Sequence, residues 1–230
     1  VIKQKRNADI KTDFVNNITH ELKTPLATLS IATKTLQTNA IQNSKAKFQS
    51  TVATIDRQRK RLQKLVDQVV NDSLGFESIH LEKKEMDAKI WLENLLNDYC
   101  LQHNNISIVS YFHSESTKLV LDEFQFNTAI LNILENATKY GASKICVSTE
   151  KSNTEFAIII EDNGIGIAKN DQAKVFDKFH RIANQTVHNI KGLGLGLYYA
   201  DQIVKAHGGY INLKSEVSKG TILIIKIPIE

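Results

Sequence analysis

Two changes of pattern along this 230-residue chain predict a two-domain protein: an all-α helical hairpin that forms a dimeric four-helix bundle, followed by an α+β sandwich. Up to Leu74-Gly75 the apolar residues recur every three or four positions, the period of a helix; beyond that point short apolar runs mixed with helical stretches take over. Length agrees, since 230 residues exceed one average domain. The boundary is placed between residues 76 and 77, giving domains 1–76 and 77–230.

The first element is read from Ile10, Phe14, Ile18, Leu22, Leu26, Leu29, Thr33 and Leu36, one stripe of a long amphipathic helix. Pro25 falls inside it, where the missing N–H and the ring are expected to bend the backbone one turn after His20. Asn39 to Ser44 reads as a turn. A second stripe runs through Phe48, Val52, Ile55, Leu62, Val66 and Val69, with Arg59 interrupting it. Two antiparallel helices cannot bury both seams alone, so a homodimer in which each hairpin covers the other follows.

Past Gly75, Ile79-His80-Leu81 followed by Lys83-Lys84-Glu85 reads as a first strand leaving a short linker. Helices are expected near 87–103, 122–139 and 193–207, and strands near 106–110, 117–121, 144–150, 155–161, 209–214 and 221–228.

Composition narrows the class. Hydrophobic residues make up 42%, ordinary for a globular chain. No apolar run approaches the roughly 18 residues of a bilayer span, and no signal peptide is present. Val1 is not an initiator methionine, so the chain is expected to be a processed or excised piece whose upstream region lies outside it. Cys100 and Cys146 stand alone, which fits a reducing compartment, excludes a cysteine-rich zinc site and suggests buried apolar fillers. The net charge of +4 is uneven: residues 1–76 carry 13 Lys/Arg against 6 Asp/Glu, so the first domain is the basic one. That surface could meet nucleic acid, anionic lipid or an acidic protein, or be a solvated helical face.

The chemistry concentrates at two distant segments. In Thr19-His20-Glu21-Leu22-Lys23-Thr24-Pro25-Leu26, His20 lies about 200° around the helix from Ile18 and from Leu22, in opposite senses, and so faces away from the core stripe. Glu21 can accept a hydrogen bond from one ring nitrogen, leaving the other as an unprotonated nucleophile for a phosphoryl group. Thr24, one turn on, could orient a water for the reverse, hydrolytic reaction, or its hydroxyl could simply bond a backbone carbonyl beside the proline. Far downstream, Gly192-Leu193-Gly194-Leu195-Gly196-Leu197 opens a helix, so glycines and helix N-terminus coincide as phosphate binding requires. This loop lacks the Lys-Ser/Thr ending of a P-loop and the strand–helix–strand setting of a dinucleotide fold.

Between these segments lie two further constellations and a lid. Asn132, Asn136 and Lys139 share a helical face in Asn132-Ile133-Leu134-Glu135-Asn136-Ala137-Thr138-Lys139-Tyr140. Neutral amide oxygens suit a Mg²⁺ that keeps waters and phosphate oxygens, although an Asn-rich helix is also ordinary polar surface. Glu161-Asp162-Asn163-Gly164-Ile165-Gly166-Ile167 follows an Ile-rich strand, where a carboxylate can accept the exocyclic amine of adenine and glycines permit close approach; Asp-Asn-Gly is equally a turn signal. Residues 168–191 are polar and read as a lid, in which Phe176 and Phe179 either meet the nucleotide or anchor the lid, and Arg181 is a candidate γ-phosphate contact.

In order and spacing these five segments resemble the transmitter core of bacterial two-component sensor histidine kinases: an acceptor box at Phe14–Leu26, an N box at Asn132–Tyr140, a DxGxG box at Asp162–Gly166, an F box at Phe176–Phe179 and a glycine loop at Gly192–Gly196. The resemblance covers about residues 10 to 228. It implies that the second domain is a Bergerat-type ATP-binding domain of the histidine kinase, gyrase, Hsp90 and MutL kind. It further implies His20 as phosphoacceptor, Glu21 as acid/base residue and Thr24 as a phosphatase determinant.

For the nucleotide, the resemblance implies Asn136 as Mg²⁺ ligand, with Asn132, Lys139 and Tyr140 near the ATP phosphates, and Asp162 with Gly164 and Gly166 around the base. Phe176, Arg181 and Gly192, Leu193, Gly194, Leu195 and Gly196 would complete the site. The partners implied are a second copy of the chain and a response-regulator receiver domain, with no nucleic acid. The location implied is the cytoplasmic portion of an inner-membrane sensor. Gyrase-type ATPases usually carry glutamate four residues before the magnesium asparagine; Asn132 stands there, which argues against a water-activating hydrolase. Two departures from the family pattern are Gly141-Ala142 in place of Thr-Pro and Ile222-Leu223 where a phenylalanine is common.

Overall fold

The computed structural model describes residues 19, 22–38, 41, 44–73, 81–103, 105–113, 117–182 and 194–229. Among the described residues the chain divides into two compact units, one within Val1–Ser78 and one within Ile79–Glu230.

The first unit holds α1, helical over 22–36, and α2, Lys45–Ser73. Helix α1 is unbroken through Pro25, which is buried. Pro25 therefore does not break the helix into two pieces. Ala32 is buried, while Leu26 and Ile31 on α1 and Phe48, Val52 and Val66 on α2 stay exposed. The side-chain hydrogen bonds described in this unit are local. Thr28 donates to the Thr24 carbonyl, Thr33 to Leu29, Thr35 to Ile31, Thr51 to Lys47 and Thr54 to Ser50. Arg59, which broke the apolar stripe, points outward and pairs with Asp56 at 3.0 Å. The turn expected at Asn39–Ser44 lies mostly outside the described residues.

The second unit is a two-layer α+β sandwich. Its strands are β1 Lys84–Asp87, β2 Ser107–Tyr111, β3 Lys118–Leu121, β4 Lys144–Lys151, β5 Glu155–Asp162, β6 Tyr210–Glu216 and β7 Gly220–Pro228. Its helices are α3 Ala88–Gln102, α4 Glu123–Lys139, α5 Lys169–Gln172 and α6 Gly196–Ala206. The main sheet has the order β2-β4-β5-β7-β6, with β2 parallel to β4 and the other neighbours antiparallel. Alternating residues of β4, β5 and β7, among them Ile145, Val147, Ile158, Ile160, Leu223 and Ile225, bury one face against Trp91, Leu92, Phe126, Ile130, Ile133, Ala200 and Val204 of the helices. Each fully buried side chain of this size contributes about 1.5–3 kcal/mol.

Two expectations are corrected. The first strand is Lys84–Asp87, pairing antiparallel with β3, so of the stretch read from Ile79 to Glu85 only Lys84 and Glu85 belong to it; Leu81 is not in a strand, and Ile79 and His80 lie outside the described residues. Its charged residues blurred its bounds, since Lys84 and Glu85 are exposed on a two-stranded ribbon and only Met86 packs on the core. The two cysteines are half-buried free thiols, not sealed fillers.

Candidate nucleotide-binding site

Helix α4 starts at Asp122, whose carboxylate caps it by accepting from the Gln125 N–H at 3.0 Å. It ends in a Schellman turn: the Ala142 N–H donates to the Ala137 carbonyl and the Gly141 N–H to the Thr138 carbonyl. Gly141 takes φ +84°, so the departure from Thr-Pro has a local cause, a left-handed residue that closes the helix. Within α4 the amphipathic register buries Ile130, Ile133, Leu134 and Ala137 and leaves Asn132 and Asn136 half-buried on the other face, with Lys139 exposed.

Those asparagines meet the glycine loop. A methyl group added at Gly196 would lie 3.2 Å from Asn132 Oδ1 and 3.3 Å from Asn136 Nδ2. Gly196 is the first residue of α6, and the N-cap residue Leu195, itself buried, supplies no side-chain hydrogen bond to the helix. The first N–H groups of α6 therefore open beside the two carboxamides, an arrangement suited to an anion.

The DxGxG segment forms the second wall. Asp162 ends β5 and accepts the Gly164 N–H at 2.8 Å. Burial pushes its carboxyl above the usual range; the Gly164 and Thr221 N–H groups pull it down, and Glu161 adds to the rise. A Cβ at Gly164 would stand 2.9 Å from both Asp162 Oδ1 and the Tyr140 carbonyl, so the loop presses against the end of α4. At Gly166, φ is +69° and a Cβ would overlap the Glu216 carbonyl, fastening the loop to the β6–β7 turn. Asn163 has a scaffold role, accepting the Ser143 and Lys144 N–H groups at 3.0 and 2.9 Å.

Sequence reasoning did not single out Thr221 or Ser215. The Ser215 hydroxyl accepts the Ile167 N–H, donates to the Gly220 carbonyl and lies 2.9 Å from the Thr221 hydroxyl, tying the Asp162 loop to β6 and β7. Gln172 of α5 reinforces it by donating to the Ile167 and Ser215 carbonyls. Only the Gly-Thr pair at 220–221 carried any signal.

The segment read as a lid is ordered at its root. It contains α5, Val175 is buried and Phe176 packs on the hydrophobic core, the anchoring one of its two possible roles. Phe179 adopts φ 66°, rare for an aromatic residue, and its N–H donates to the Gly194 carbonyl at 3.1 Å. Gly194 has φ +71°, and a Cβ there would come within 2.7 Å of the His180 carbonyl, so only glycine fits at this stem. Lys178 Nζ lies 5.3 Å from the Phe179 ring centroid and 5.7 Å from that of Tyr198 on α6. Burial raises the Tyr140 phenol above its ordinary range, opposed by the positive charge of Arg181.

Thus Asn132, Asn136, Lys139 and Tyr140 lie on α4, Asp162, Gly164 and Gly166 in the loop beside its end, and Gly194, Leu195 and Gly196 against both α4 and the lid root, with Phe176 turned to the core. Thr24 lies on α1, its carbonyl engaged by Thr28. His20, Glu21, Gly192 and Leu193 lie outside the described residues.

Fold and site define a nucleotide-binding domain that follows a helical hairpin. Residues 10–73 match the family model of the His Kinase A (phospho-acceptor) domain, and residues 121–230 that of the histidine kinase-, DNA gyrase B- and HSP90-like ATPase. The chain is 36% identical over its whole length to sensor protein RprX of Bacteroides fragilis, spanning 46% of it. It is 27% identical to sensor protein SrrB of Staphylococcus aureus over 95% of this chain and 38% of that one. The chain therefore spans less than half the length of these curated relatives. The Acinetobacter baumannii histidine kinase AdeS shares the fold, with a TM-score of 0.64 at 22% identity over 92% of this chain and 98% of that one. The chain belongs to the two-component sensor histidine kinases, as their transmitter core, and its second unit is their ATP-binding domain. No helix among the described residues is long and apolar enough to cross a membrane.

Proposed function

We propose that this chain transfers the γ-phosphoryl group of ATP to His20 and from there to an aspartate on a response-regulator receiver domain. The observation that carries this reading is the junction of Asn132 and Asn136 with the uncapped start of α6, beside a half-buried Asp162. The α6 N–H groups would hold the polyphosphate, Arg181 and Lys139 would meet its charge, and the Asp162 carboxylate would accept the adenine amine. Gly192 and Leu193 would continue the cradle.

The donor set fits Mg²⁺. No group of three His, Cys, Asp or Glu side chains gathers among the described residues, so a caged metal is not offered there. One carboxamide oxygen from Asn136 suits an ion that takes most of its ligands from phosphate and water. Bound there, Mg²⁺ would neutralise charge on the β- and γ-phosphates.

At the acceptor, Glu21 would hold one imidazole nitrogen of His20 so that the other attacks phosphorus. A P–N bond forms, the bond to the β-phosphate oxygen breaks and ADP departs. Thr24 would serve the reverse reaction, orienting water on the phosphorylated receiver. Leu26, Phe48 and Val52, exposed on the hairpin, would be covered by a second copy, making the working form a homodimer. The basic first domain would attract the acidic receiver. The longer protein would place this core on the cytoplasmic side of a membrane-anchored sensor.

The test is incubation of the chain with γ-labelled ATP and Mg²⁺. The reading expects protein-bound label that survives alkali and is lost in acid. ATP turnover without labelled protein contradicts it.

A further inference from the structure

The helix pair that carries the phosphate side of the site is pinned at its opposite end by one residue. His207 follows α6 directly and is buried at 4% exposure. Its Nε2 accepts the Asp122 N–H at 3.0 Å, and its Nδ1 donates to the Ile203 carbonyl at 2.8 Å. The ring stands edge-on to Phe126, with centroids 4.7 Å apart. Asp122 is the N-cap of α4, and its second carboxylate oxygen accepts the Glu82 N–H at 2.8 Å. One imidazole thus joins the end of α6 to the start of α4. At the other end of the same pair, Gly196 of α6 touches Asn132 and Asn136 of α4.

We propose that His207 is a positioning residue for the nucleotide site, and that its protonation releases the α4–α6 pin and weakens nucleotide binding. The geometry gives the sign. A proton added at Nε2 turns the acceptor of the Asp122 N–H into a donor facing a donor, and the bond is lost. The start of α4 and the end of α6 then part, and α6, an 11-residue helix about 16 Å long, transmits the shift to Gly196 and the asparagines. The charged groups acting on the ring are Lys83, which opposes protonation, and the Asp122 carboxylate, which favours it; on its own helix, Lys205 is held by Asp201 at 2.7 Å. Burial is the largest influence and keeps the imidazole below its ordinary range.

The native chain therefore prefers neutral His207. This contribution is fully present above the unfolded imidazole value of about 6.5 and is lost as pH falls from there through the folded value. Nucleotide that needs the pinned arrangement must, by linkage, lower the His207 value further.

The inference rests on the proposed nucleotide reading, so ADP with Mg²⁺ is titrated into the full chain first at pH 8, where failure to bind removes that reading alone. Affinity is then followed down through the pH at which NMR shows the wild-type His207 ring to protonate, for the wild type and for His207→Gln, whose amide can accept from Asp122 and donate to Ile203 but does not titrate. The ligand's own phosphate titration is common to both proteins. The wild type is expected to lose about fivefold more affinity across this range than the variant, a difference that equal losses would overturn. In the wild type, NMR titration of the His207 ring with and without ADP gives a second reading that needs no variant. A lower value with ADP bound supports the pin, and an unchanged value overturns it.

Discussion

The two units of this chain hold themselves together in opposite ways. In the helical hairpin the described side-chain hydrogen bonds stay within one or two turns, as where Thr33 reaches Leu29, and Ile31 remains 67% exposed. In the nucleotide unit the decisive bonds join residues far apart, 85 positions in the case of Asp122 and His207, and the core is sealed around Phe126 and Phe156. Local bonding makes helices but does not fix their partners, whereas long-range bonding fixes a site. The difference teaches that the nucleotide unit seals its own core, while the hairpin leaves apolar side chains such as Leu26 and Val52 exposed, the seam proposed for a second copy.

The strongest way to break this contrast is to strike the nucleotide unit where backbone meets backbone. Gly166→Ala places a Cβ against the Glu216 carbonyl at φ +69°, and is expected to cost about 3 kcal/mol or more. Denaturant unfolding monitored at Trp91 checks this; an unchanged midpoint would mean that the loop is not fastened to the β6–β7 turn. Next comes the seam. Leu26→Asp with Val52→Asp is expected to weaken dimerisation roughly hundredfold in sedimentation equilibrium, because carboxylates would have to be buried unpaired. ADP affinity should hold within about twofold, since the nucleotide unit does not need the seam. A dimer that survives the double change would place the interface elsewhere.

Gly196→Ala sharpens the contrast on a smaller scale. Its methyl group crowds Asn132 and Asn136, so ADP affinity should fall about tenfold, or about 1.4 kcal/mol, while unfolding stability does not drop. Unaltered binding would detach the asparagines from the phosphate site. The smallest effect concerns pH. Asp162 has a raised carboxyl in the folded chain, so the native state holds its proton to higher pH than the unfolded one. Stability attributable to this group is therefore greatest at acid pH and falls as pH climbs from about 4 through the raised value. Binding of adenine, which needs the ionised acceptor, moves the opposite way, so ADP affinity should decline by a few-fold on acidification through that window and lose this step in Asp162→Asn. A step that persists in the variant would assign it to another group.

Much of this organisation was legible in the sequence because helices and buried strands write their periods into it: the α4 register of Asn132, Asn136 and Lys139 follows from spacing, as do the alternating strands β4, β5 and β7. The glycine loop was legible from its place at the opening of a helix, whereas the DxGxG segment read equally as a turn until the family resemblance singled it out. What escaped has no period. Strand β1 is a charged ribbon whose pairing depends on β3, more than 30 residues away. His207 looked like the polar end of a helix, and its role depends on Asp122; Ser215 and Thr221 act on the Asp162 loop from other strands. Long-range hydrogen bonds are set by topology, and residue spacing carries no trace of them.

The central claim is that a nucleotide bound in the second unit serves a histidine in the first. The most direct measurement runs γ-labelled ATP labelling and ADP titration side by side on the wild type, His20→Gln and Asn136→Ala. The account predicts label only on the wild type, with ADP bound normally by His20→Gln and with Mg²⁺-dependent affinity reduced in Asn136→Ala. Label that persists on His20→Gln, or full labelling of Asn136→Ala, would contradict it.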